Sequence, residues 1–143
     1  TGRDNTRAIA IADFNKDGYH DIVTANIQEQ NFIYFGSKEL MFSNSIAFDT
    51  SSSSSFSVAI NDLDLDNDID IIISNSPGPN YIFLNSSNGS IWEKSQLSNE
   101  LYRTYDIISS DLNNDGLHDI IEANSDAINR YYFNQNKFDP KRN

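Results

Sequence analysis

The chain has 143 residues, 38% of them hydrophobic, and a formal net charge of −11. That length suits one domain with its own core, and that charge argues against nucleic acid and anionic membrane surfaces as partners. The absence of cysteine excludes disulfides and thiolate metal sites, and no stretch is long enough to span a membrane. No signal peptide is expected, and the start at Thr1 reads as a mature form or a piece cut from a longer protein.

The first segment, RAIAIAD, alternates: Ile9 and Ile11 share one face, Ala8, Ala10 and Ala12 the other. This predicts a strand. An acidic loop follows, DFNKDGYHD, from Asp13 to Asp21. Two apolar runs come next, DIVTAN ending at Asn26 and NFIYFG starting at Asn31. A fourth strand is expected near Met41–Phe48, and the serine run 51–55 reads as a solvated connection. The order then recurs. FSVAIND leads into DLDLDNDID (Asp62 to Asp70), then DIIISN, NYIFLN and an expected fourth strand at Ser90–Leu97. YDIISSD leads into DLNNDGLHD (Asp111 to Asp119), then DIIEAN and NRYYFN.

The loops begin at Asp13, Asp62 and Asp111, a period of 49 residues. Asn26, Asn75 and Asn124 align, as do Asn31, Asn80 and Asn129. A fixed period means one structural unit used three times, here 7–55, 56–104 and 105–143. The third unit is short, so its fourth strand is missing or reduced to the region of Phe138. Runs of this length, rich in Ile, Val, Tyr and Phe, are strands rather than helices. The later strands are apolar at nearly every residue, so both faces should be covered. Small sheets stacked side by side satisfy this, as in a β-propeller.

Of the 21 acidic residues, 11 lie inside the three loops. Alternate residues of a wrapping backbone turn their oxygens inward, which makes Asp13, Asn15, Asp17 and Asp21 candidate ligands, with the Tyr19 carbonyl. The corresponding sets are Asp62, Asp64, Asp66, Asp68 and Asp70, and Asp111, Asn113, Asp115, Leu117 and Asp119. Such a shell, completed by water, fits Ca²⁺ better than Mg²⁺, and the lack of Cys or His ligands argues against zinc and copper. About three ions are expected, one per repeat. The sixth position needs a left-handed turn, supplied by Gly18, Gly116 and, less freely, Asn67. Asp64 replaces the Asn of the other loops, so the second loop has the highest charge density.

The third loop also fits an EF-hand through Glu122, but Thr24 and Ile73 hold that position elsewhere and the flanks are strands. His20 and His118 read as exposed loop residues. Glu122 and Asp106 are expected to face solvent or a central channel, and Trp92 with Arg130-Tyr131-Tyr132 to pack between blades. Asn85 and Asn88 begin N-x-S sequons. No nucleophile–base constellation is present.

The strand, the D-x-[DN]-x-D-[GN]-x-x-D loop, the D-[IL]-[IV] strand and the Tyr/Phe-rich strand resemble the FG-GAP (or VCBS) repeat of integrin alpha-subunit propellers. The resemblance covers about residues 7 to 143. It implies an all-β fold of three tandem four-stranded blades, a partial propeller or part of an assembled ring, with Ca²⁺ held by the loop residues named above. Family rings usually have about seven blades, so further blades are expected, from a parent chain or from identical chains. The expected function is extracellular binding or adhesion, directed at a protein or a glycan. The alternative is a carbohydrate-active enzyme, a polysaccharide lyase or hydrolase, or a lectin, on the same blades. Calcium sites of this kind work where calcium is millimolar, which places the protein outside the cell or on its surface.

Overall fold

Short β-branched and aromatic runs, broken by loops rich in Asp, Asn and Gly, favour hairpin-linked antiparallel strands. The computed structural model describes residues 5–39, 41–135 and 138, and these contain strands and turns but no helix. The first repeat forms β1 (Thr6–Ala12), β2 (Asp21–Asn26), β3 (Asn31–Phe35) and β4 (Asn44–Asp49). The second forms β5 (Ser55–Asn61), β6 (Asp70–Asn75), β7 (Tyr81–Ser86) and β8 (Ile91–Gln96). The third forms β9 (Arg103–Ser110), β10 (Asp119–Ser125) and β11 (Arg130–Tyr132). Each repeat is one antiparallel sheet in sequence order, and the three sheets do not close on themselves. Phe138 lies in a turn packed on the core, and the rest of the region where a reduced fourth strand of the third repeat is expected lies outside the described residues.

Two apolar seams hold the blades together. In the first, Val23, Ala25 and Ile33 of one blade meet Ile71, Ile73 and Phe83 of the next, with Phe14 buried between them. The small face of β1 (Ala8, Ala10, Ala12) lies against this seam, so the sheets approach closely. In the second, Leu63, Ile72, Ile82 and Leu84 meet Ile107 and Ile120. Full burial of a side chain such as Phe83 or Ile72 is worth about 1.5–3 kcal/mol, so these seams dominate the stability. Each sheet therefore has two unlike faces, one for the preceding blade and one for the following blade.

The ladder between the first two strands slips once in every blade, skipping Arg7, Phe56 and Tyr105, which are again 49 residues apart. These bulged side chains line up across the seams. Arg7 sits 6.0 Å from the Phe56 ring centre, and Phe56 and Tyr105 meet edge-on at 5.1 Å.

Glu122 corrects an expectation. It is fully buried, away from solvent, and accepts hydrogen bonds from Asn80 Nδ2 (2.6 Å) and the Tyr132 hydroxyl (3.1 Å). These two donors, one from the loop before β7 and one from β11, let a carboxyl occupy a position that is Ile73 in the second blade. Asp106 is exposed, as expected, and accepts from the Ser57 hydroxyl at 2.7 Å.

Candidate metal centre

Each β1–β2-type hairpin is closed by an acidic turn, and the three turns share one hydrogen-bond pattern. The first Asp accepts from the N–H groups at positions 5 and 6: Asp13 from Asp17 and Gly18, Asp62 from Asp66 and Asn67, Asp111 from Asp115 and Gly116. The position-5 carboxylate accepts from position 7, at 2.9 Å for Tyr19, Asp68 and Leu117 alike. These local bonds are why Asp and Asn recur at alternate positions.

Asp21, Asp70 and Asp119 are fully buried and act as clamps. One oxygen accepts from position 2 of the loop: Phe14 at 2.9 Å, Leu63 at 2.7 Å, Leu112 at 2.9 Å. The other accepts from the end of the third strand: Gly36 at 2.8 Å, Asn85 at 2.9 Å, Asn134 at 2.8 Å. The closing Asp thus ties the loop to its sheet, a task that its spacing alone does not reveal.

Backbone conformation tightens the turn. Position 6 is left-handed in all three loops, with φ of 89° at Gly18, 68° at Asn67 and 86° at Gly116. Position 4 is left-handed too, at Lys16, Leu65 and Asn114. Neither Lys nor Leu signals that conformation, so only the fold reveals it.

The second loop stands apart. Asp62, Asp64 and Asp70 each place a carboxylate oxygen within 4.8 Å of the others. Among the described residues, the first and third loops, with Asn15 and Asn113 in place of Asp64, do not gather three acidic side chains so closely. In those loops the Asn amide donates to the position-5 carboxylate, at 2.9 Å (Asp17) and 2.8 Å (Asp115). In the second loop the pair is Asp64 and Asp66, two carboxylates with no such donor between them. Burial first, then the Asp66 charge, pushes the Asp64 carboxyl up to about 6. Burial also pushes Asp70 up to about 7, against the pull of the Asn85 and Leu63 N–H groups. Asp21 is raised for the same first reason. A cluster that holds back ionisation in this way is completed by a proton or by a cation. The donor set, all hard oxygen, fits a hard divalent ion.

The Asp68 side chain points elsewhere and forms an ion pair with Lys16 of the preceding loop. His20 is exposed, whereas His118 is half-buried. Trp92 packs edge-on against Phe14 at 6.0 Å and lies 5.9 Å from Phe48, so it belongs to the first seam. Arg130 pairs with Glu100 and donates to the Tyr102 hydroxyl. Of the two sequons, Asn85 is buried and donates to the Phe14 and Ile69 carbonyls, while Asn88 is exposed.

The repeating Asn residues prove structural. Asn85 Nδ2 and Asn134 Nδ2 reach back to the Phe14 and Leu63 carbonyls of the preceding loops, at 3.0 and 2.7 Å. The recurrence of Asn at 85 and 134 was the available signal. Comparison with curated proteins returns no match to this chain. The FG-GAP-like repeat model matches it twice, over residues 13–73 and 62–122, each match running from one acidic loop through the next. Together these matches cover well over half of the 143 residues. The chain therefore belongs to the FG-GAP-like repeat family, a β-propeller-like repeat module.

Proposed function

We propose that this chain is a calcium-stabilised, extracellular binding module. The reading rests on Asp64 and Asp66 of the second loop, a carboxylate pair where the other loops have an amide donor. Asp62, Asp64, Asp66 and Asp70 would hold a Ca²⁺ ion there, with the equivalent Asp and Asn residues holding one in each of the other loops. The ion would neutralise the clustered charge and fix the hairpin to its sheet. It has no reacting group to act on, so its role is structural.

Recognition falls to the opposite end of the blades. The β2–β3, β6–β7 and β10–β11 loops (27–30, 76–79 and 126–128) differ in sequence among the repeats, while the acidic loops are alike. Variable loops on a repeated scaffold suit a protein or glycan ligand. Isothermal titration of the chelated chain with CaCl₂ tests the metal, with Asp64→Asn as the comparison. Heat that is the same for both chains, or absent, defeats the reading. Glycan and extracellular-protein arrays, run beside a polysaccharide-cleavage assay, test the binding role. Cleavage would replace it with the enzymatic alternative.

A further inference from the structure

We propose, on the calcium reading of the second loop, that Lys16 is the built-in counter-cation of that loop. Paired with Asp68 across the first seam, it cancels the loop's surplus carboxylate and sets its affinity for the divalent ion.

The surplus belongs to one loop. The second loop carries five carboxylates, Asp62, Asp64, Asp66, Asp68 and Asp70, where the first and third carry three each. Position 7 is Asp68 here but Tyr19 and Leu117 in the other loops. Asp68 is 7% exposed, and among the described residues the partner of its buried Oδ1 is the Lys16 ammonium, from position 4 of the preceding loop. A buried carboxylate left without a counter-charge is strongly destabilising, so this pairing matters to the metal-free chain.

The seam itself places the pair. Asn85 Nδ2 donates to the Phe14 carbonyl at 3.0 Å and to the Ile69 carbonyl at 3.3 Å. One side chain thus pins the residue two before Lys16 beside the residue that follows Asp68. The residues in the same register at the second seam are Leu65 and Leu117, which carry no charge. A lysine is therefore supplied to the loop with the excess acid and to neither of its neighbours.

Asp68 also belongs to the candidate ligand set. Its N–H donates to Asp66 Oδ1 at 2.9 Å, and its carbonyl is the position-7 ligand. The Lys16 ammonium is held above the ordinary lysine pKa first by its bond to Asp68, with the Asp66 and Asp62 charges adding to it. Its charge therefore reaches carboxylates that would hold the ion. A fixed positive charge there opposes a divalent cation, and in the metal-free chain it offsets the repulsion among the carboxylates. Lys16 thus trades calcium affinity in this loop for stability without calcium.

Amide chemical shifts can read the loops separately, because the Gly18, Asn67 and Gly116 N–H groups each donate to the first Asp of their own loop. CaCl₂ titrations of the isotope-labelled full chain test the role of Lys16. Lys16→Met should lower the calcium midpoint of the Asn67 signal by about threefold to tenfold, since a divalent ion feels a neighbouring unit charge twice over. Lys16→Arg should keep the wild-type midpoint. Asp68→Asn, which leaves Lys16 unopposed, should raise the midpoint. Gly116 should titrate alike in every variant. Loosened packing would weaken binding in both Lys16→Met and Asp68→Asn, so opposite signs mark charge as the cause. In about 1 M salt, where the screening length is about 3 Å, the gap between Lys16→Met and wild type should close. In chelator, Lys16→Met should melt below wild type. An Asn67 signal that titrates with calcium at the same midpoint in Lys16→Met and wild type would overturn the role of Lys16 and leave the calcium reading intact. So would midpoints that move the same way in Lys16→Met and Asp68→Asn. CaCl₂ that moves none of the three amides would defeat the calcium reading, and this role with it.

Discussion

Asn85 donates its side-chain amide to the main-chain carbonyl of Phe14 across the seam between the first two blades, at 3.0 Å. Its Oδ1 also accepts from the Gly89 N–H at 2.7 Å, so one buried side chain joins a neighbouring loop to its own hairpin turn.

Asn85→Ala should therefore destabilise the protein more than Asn134→Ala, whose side chain makes only the seam bond among the described residues. Leaving a buried carbonyl or N–H without a partner costs about 1–3 kcal/mol. Urea unfolding should show a lower midpoint for both variants, with the larger fall at Asn85. Equal midpoints would deny the second role at Gly89.

Chelation should lower the melting temperature, and by more at higher pH. Asp70 and Asp64 are raised to about 7 and about 6, above the ordinary carboxylate value. Without a cation, the folded chain then holds more protons than the unfolded chain between about pH 4 and pH 7, and stability falls as pH rises through that window. Calcium binds the ionised form, so its stabilising effect grows over the same range. Melts from pH 5 to pH 8, with calcium and with chelator, should diverge upward in pH. Parallel curves, or a chelated chain that gains stability with pH, would contradict the linkage.

Asp64→Asn should separate the two demands on the second loop. It recreates the amide-to-carboxylate bond seen at Asn15 and Asn113, and a hydrogen bond of this kind is worth about 0.5–1.5 kcal/mol. The chelated variant should melt above the chelated wild type, while calcium binding at this loop weakens. Asp66→Ala should weaken the same loop and spare the other two. Calorimetry that loses every calcium event in Asp66→Ala would mean the loops are coupled.

Local order in the chain explains how much could be read before the structure. The 49-residue recurrence of Asp and Asn, and the run of Ile71 to Ile73, mark loops and two-faced strands directly. The unlike faces of β1 are visible in Ala8 and Ile9. What stayed hidden depends on partners remote in sequence. Asp21 looks like any loop carboxylate until Gly36 is folded beside it. Glu122 looks like a solvent-facing charge until Asn80, 42 residues away, supplies a donor. The left-handed Lys16 and Leu65 carry no compositional mark, because the hydrogen bonds of the turn impose their conformation on them.

Two glycines distinguish conformation from space. An added Cβ at Gly18 meets nothing within 4 Å, yet φ there is 89°. Gly18→Ala should then cost only the left-handed penalty of about 1–2 kcal/mol. Gly18→Asn should cost less, since Asn67 holds the same place in the second loop with a φ of 68°. At Gly36 the constraint is steric: a Cβ would fall 2.2 Å from the His20 carbonyl oxygen. That carbonyl belongs to the backbone beside the clamp Asp21, so relief requires the hairpin itself to shift. Gly36→Ala should therefore destabilise the protein more than Gly18→Ala, by about 1–3 kcal/mol or more, and loosen the Asp21 clamp. Thermal melts of the three variants in calcium should rank Gly18→Asn above Gly18→Ala, and Gly18→Ala above Gly36→Ala. If Gly36→Ala melted with the wild type, the close approach of the third strand to the first loop would be disproved.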